Sequence, residues 1–76
     1  DILLYPNPAR DFFTVDLPHD ASASIRIYDL GGRLVHSARI TSGSRAGTEN
    51  LPNGMYIVQF ELDSGEVFSK KLAVRH

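Results

Sequence analysis

Apolar and polar residues alternate along nearly the whole chain. The pattern is clearest where Tyr56, Val58, Phe60 and Leu62 interleave with Ile57, Gln59 and Glu61. A period of two places each set on its own face of an extended strand, so one face is buried while the other meets water. The same period returns at Phe13, Val15 and Leu17, and again at Ala23, Ile25 and Ile27. Leu34, His36, Ala38 and Ile40 share a parity, with Val35 intruding on the other. No window of about eleven residues carries an apolar stripe at helical spacing. The chain is predicted to be all-β.

Turn chemistry divides the strands. Pro6-Asn7-Pro8 ends the first one, because proline brings no N–H and a fixed φ. Pro18-His19-Asp20, Asp29-Leu30-Gly31-Gly32, Pro52-Asn53-Gly54 and Asp63-Ser64-Gly65 close the others, while 41–47 reads as a polar loop. The spacing predicts seven strands near 2–5, 11–17, 23–29, 33–40, 47–51, 55–62 and 66–74. Seven short strands with frequent turns predict an Ig-like antiparallel β-sandwich. Tyr56, opening a strand just after a corner, is placed to turn its ring inward and bond its hydroxyl to upstream backbone.

Seventy-six residues are enough for a single domain, 1–76. Without cysteine, neither disulfides nor thiolate metal sites brace it, so sheet pairing and apolar packing carry the fold. A net charge of −1, from eight basic and nine acidic residues mixed along the chain, provides no field to gather nucleic acid. The longest apolar run is four residues, against the ~20 needed for a membrane helix. Neither nucleic-acid binding nor membrane insertion is expected.

Chemistry-bearing residues are dispersed. His19, His36 and His76 lack metal-ligand spacing, and the carboxylates form no dense calcium loop. Gly43-Ser44-Arg45-Ala46-Gly47 has the length of a nucleophile elbow but carries arginine where serine belongs. No enzyme activity, cofactor or metal is expected. The feature that stands out is Lys70-Lys71, followed by Arg75 and His76. Neighbouring strand residues point to opposite faces, so Lys70 interrupts the apolar parity of Phe68, Leu72 and Val74. Either its stem is buried or a bulge shifts the register there.

Four segments together resemble a known family: Tyr5-Pro6-Asn7-Pro8-Ala9, Ile27 through Val35, Leu51-Pro52-Asn53-Gly54-Met55-Tyr56-Ile57-Val58, and Gly65 through Lys70-Lys71-Leu72 to the last residue. In this order they look like the type IX secretion C-terminal sorting domain of exported Bacteroidetes proteins. The resemblance implies a non-catalytic module at the end of a larger cargo protein. Such a module is read by the outer-membrane translocon and removed by an associated sortase at the cell surface. Apart from the resemblance, free sheet edges make the chain a monomer or weak edge-strand dimer in expectation. The resemblance also implies recognition roles for Gly54, Tyr56, Gly65, Lys70, Lys71, Val74 and Arg75. His76, following Arg75, departs from the family's usual basic ending. The contrasting expectation is an Ig-like accessory module that binds carbohydrate or another surface, with Tyr28 and Phe12 as outward aromatics. A passive Ig-like spacer is a third.

Overall fold

The computed structural model describes residues 2–76, with Asp1 outside the described residues. Its strands are β1 (Leu3–Tyr5), β2 (Phe12–Asp16), β3 (Ser22–Asp29), β4 (Leu34–Thr41), β5 (Arg45–Gly47), β6 (Gly54–Leu62) and β7 (Val67–Val74). They form a three-stranded sheet, β1-β2-β5, and a four-stranded sheet, β4-β3-β6-β7, with antiparallel pairing throughout both. This is the Ig-like sandwich anticipated from the alternation. Among the described residues, only a 3₁₀ turn at Pro18–Asp20 interrupts the strands with helical geometry.

The core forms where the inward parities meet. Phe13 and Val15 from β2 face Ala23, Ile25 and Ile27 from β3, Val58 and Phe60 from β6 and Leu72 from β7, all fully buried. Register explains the selection: Ile25 lies between Phe60 and Ala38, and Phe60 between Ile25 and Phe68. Directly opposed residues share a face, so one apolar parity in a strand recruits the same parity in its neighbours.

Two sequence expectations need correction. The fifth strand is not 47–51 but Arg45–Gly47, drawn from the segment read as a loop. Only Ala46 of that strand is buried, so no alternation announces it. The turn before it is built by hydroxyls: the Ser42 hydroxyl accepts from Leu17 N–H and donates to the Leu17 carbonyl. Residues 48–51 instead form a turn, with Leu51 N–H donating to the Thr48 carbonyl. Thr48 itself is buried and donates its hydroxyl to the Arg10 carbonyl at 3.0 Å. The second correction concerns β4. A bulge opposite Ile27 and Tyr28 breaks its parity, leaving Leu34 and His36 exposed while Val35 packs against the core.

Lys70 resolves the other way. Pairing of β7 with β6 runs without a register shift from Val67 to Val74, so no bulge intervenes. Lys70 keeps the inward parity with its stem half-buried, as long cationic side chains do beside apolar surface.

Candidate functional site

The register gathers distant parts of the chain at one end of the sandwich. Asp29 pairs with Tyr56, and Gly54 with Val74, so the end of β3, the start of β6 and the end of β7 coincide. The Asp29–Arg33 hairpin closes β3 onto β4 there, and the Pro6–Ala9 segment crosses to the same place after β1. The segments carrying the family resemblance thus meet at this pole, except for the part of the last one around Gly65.

Each is held by specific bonds. The Tyr56 hydroxyl donates to the Pro52 carbonyl at 2.5 Å, four residues upstream, while its ring is buried. This is the corner expected from the sequence. Asn53 accepts the His76 N–H at 2.8 Å, and His76 Nε2 donates to the Leu51 carbonyl, also at 2.8 Å. His76 is therefore fastened to the same corner. In the hairpin, Asp29 Oδ1 accepts from Gly31 N–H and Arg33 N–H, and Asp29 Oδ2 lies 3.4 Å from Arg33 Nε. A side-chain oxygen that accepts turn N–H groups fixes the loop without a longer ladder.

The Pro6–Ala9 segment acts on β7, an edge strand of its sheet. Both proline peptide bonds, Tyr5-Pro6 and Asn7-Pro8, are cis. Asn7 Nδ2 donates to the Lys71 carbonyl at 3.1 Å, and Asn7 Oδ1 accepts from Ala73 N–H at 2.9 Å. Ala9 N–H then donates to the Ala73 carbonyl at 2.7 Å, and the Ala9 carbonyl accepts from Arg75 N–H at 2.9 Å. The Asn7 amide thus behaves as one peptide unit of an added strand, and Ala9 continues it as a parallel bridge. The outer edge of β7 is covered from Lys71 to Arg75. By alternation Val67 and Ser69 face the same way, with no backbone partner beyond β6 among the described residues.

Beside this seam lies an open groove of about 570 Å³, lined by Pro8, Asn53, Gly54, Met55 and residues 73–76. The anticipated recognition residues distribute unevenly around it. Gly54, Val74 and Arg75 line it, with Val74 also buried in the core. Tyr56 is internal, and Lys71 stands exposed on the outer face opposite Ile57. Lys70, opposite Val58, turns inward at mid-strand. Gly65 lies at the far pole, in the turn where Gly65 N–H donates to the Leu62 carbonyl. The sequence reading overlooked Asn7, although an asparagine between two prolines is a turn signal with unusual donor accounting.

Gly65 has φ +97 and open space where a Cβ would stand, so its requirement is conformational rather than steric. Gly65→Ala is expected to destabilise the chain by about 1 kcal/mol, lowering Tm by about 4–8 °C. A thermal melt indistinguishable from wild type would remove the left-handed requirement.

Residues 3–75 match the family described as Secretion system C-terminal sorting domain. The chain belongs to that family. The sorting domain is 34% identical over 74 residues to Ulvan lyase NLR42 of Nonlabens ulvanivorans, covering 93% of this chain and 14% of that protein. It is 28% identical over 78 residues to an endo-acting ulvan lyase of Formosa agariphila, covering 99% of this chain and 15% of that protein. The similarity to these lyases therefore concerns a small part of each. As a type IX sorting domain, the chain is a secretion signal that marks its carrier for the cell surface or extracellular space. Apart from the stretch around Gly65, the sorting domain presents its family segments at one pole rather than spreading them over the sandwich.

Proposed function

We propose that the 76-residue chain is the non-catalytic C-terminal module of a larger cargo protein and is read at this pole by the outer-membrane translocon. An associated sortase then removes it at the surface. The observation that supports this is the convergence of the Tyr5–Ala9, Asp29–Arg33 and Leu51–Tyr56 segments with the end of β7, in a domain of the sorting family. Arg75 and Lys71 supply exposed cations there, while Gly54, Tyr56 and Val74 shape the frame that carries them. On β7, edge pairing with a receptor has only the Val67–Ser69 part open to it among the described residues, because Asn7 and Ala9 occupy the rest of that edge. Reading of side chains and loops at the pole is the better supported route. The carbohydrate-binding alternative gains nothing at Phe12, whose ring carries the Arg45 guanidinium 4.3 Å from its centroid.

The test is a periplasmic reporter carrying this chain at its C-terminus in a type IX-competent host. The reporter is expected outside the cell, shortened by about the 8.4 kDa of the domain, and retained in a host lacking the translocon. Equal export from both hosts would overturn the sorting role. Export without shortening would overturn only the sortase step.

A further inference from the structure

The outer face of the four-stranded sheet is divided in two along its length. Near the far pole its side chains are polar apart from Val67: Ser24, Arg26, Gln59, Glu61 and Ser69 lie in successive register, with ion pairs Arg26–Glu61 at 3.6 Å and Arg39–Asp63 at 2.6 Å. Toward the pole where the family segments meet, the same face turns apolar. Leu34, Tyr28 and Ile57 form one cross-strand row ending at Lys71, and Met55 and Ala73 form the next. Leu30 stands at the hairpin tip beside them, 70% exposed, while Leu34 and Met55 are 49% and 43% exposed. A strand face turned to water has no packing reason to carry these residues at one end and charges at the other.

The patch is continuous with the groove, since Met55 and Ala73 belong to both. Its border is basic. Lys71 and Arg75 are exposed on one side and Arg33 on the other, and the carboxylate near them, Asp29, is engaged by the hairpin N–H groups and by Arg33. The other acidic residues of this sheet and its β6–β7 turn, Glu61, Asp63 and Glu66, lie at the opposite pole. Half a dozen side chains fall well short of the ~20–30 per partner found in stable interfaces. A second copy meeting this patch face to face would also set one basic border against another.

Resting on the sorting role proposed above, we infer that the Tyr28–Leu34–Met55–Ile57 face is a transient docking surface. Its partner is a protein of the secretion machinery with an apolar patch bordered by carboxylates on the side that meets Lys71 and Arg75. The small apolar area provides short-lived contact, and charge complementarity sets approach and register. That combination suits a label that has to be released after passage.

The reporter fusion tests this with three variants. Leu34→Ser combined with Met55→Ser alters two exposed side chains and should leave the melt of the purified chain near wild type. Export is expected to fall about tenfold or more. Val67→Ser removes an apolar side chain of similar exposure, 57%, from the same face at the opposite pole and is expected to export normally. Lys71→Glu is expected to lose export while folding normally, through repulsion of the partner's carboxylates. If wild type is exported and the double variant is exported equally, the docking surface is wrong while the sorting role stands. If wild type is not exported, the sorting role itself fails. Undiminished export of Lys71→Glu overturns the acidic partner. So does sedimentation showing a wild-type dimer that the double variant dissolves, because the occupant would then be a second copy.

Discussion

Phe60→Ala is expected to bring the chain close to global unfolding. Phe60 is fully buried on β6, between Ile25 of β3 and Phe68 of β7, so it joins the two central strands to an edge strand. Removing a buried phenylalanine ring costs about 3–5 kcal/mol, because neighbours only partly fill the space. A 76-residue domain has about 4–11 kcal/mol of stability in total. With no cysteine to cross-link the unfolded chain, nothing else offsets the loss. Tm should fall by about 12–40 °C, read from the far-ultraviolet signal on heating. Leu30→Ala, at an exposed hairpin tip, should melt within a few degrees of wild type. The consequence for secretion is direct. The proposed recognition pole exists only when β3, β6 and β7 are in register, so an unfolded chain offers its segments singly. Full export of a Phe60→Ala reporter would show that linear sequence, rather than the assembled pole, is what the machinery reads.

What the sequence discloses follows from which residues face the core. Tyr56, Val58, Phe60 and Leu62 alternate without interruption, and β6 lies where the pattern puts it. Ala23, Ile25 and Ile27 do the same for β3. The Tyr56 corner is legible because a tyrosine four residues after a proline carbonyl has both a ring to bury and a hydroxyl to satisfy. Strand β5 is not legible, because one buried alanine between an exposed arginine and glycine makes no pattern. The bulge in β4 hides for a related reason: Val35 is a local anomaly in sequence, and only pairing with β3 shows that it moves Val35 rather than His36 inward. The site is partly legible in the same sense. Lys71 and Arg75 are visible as charges, but their location beside Met55, Ile57 and Tyr28 is a property of register among four strands.

Asn7→Ala is expected to open the C-terminal half of the β7 edge. Proline donates no backbone hydrogen bond, so Pro6 and Pro8 leave this segment unable to pair as an ordinary strand beside Lys71 and Ala73. The Asn7 side chain supplies what the backbone lacks: a donor to the Lys71 carbonyl and an acceptor for Ala73 N–H. Losing both, at about 0.5–1.5 kcal/mol each, should destabilise the covered edge by about 1–3 kcal/mol. Hydrogen exchange separates this local effect from global loss. Ala73 and Arg75 amides point at the Asn7–Ala9 segment and should exchange about tenfold faster or more, whereas Leu72, whose backbone faces β6, should change less. Asn7→Asp sharpens the test, since a carboxylate still accepts from Ala73 N–H but sets an oxygen against the Lys71 carbonyl. It should therefore fall between wild type and alanine at Ala73. An uncovered edge also invites pairing with another chain, so the alanine variant should self-associate more readily in sedimentation. If Ala73 and Arg75 exchange at wild-type rates in Asn7→Ala, the Ala9 bridge alone secures β7. The asparagine would then be a passenger of the turn rather than the group that keeps the terminal strand closed to unintended partners.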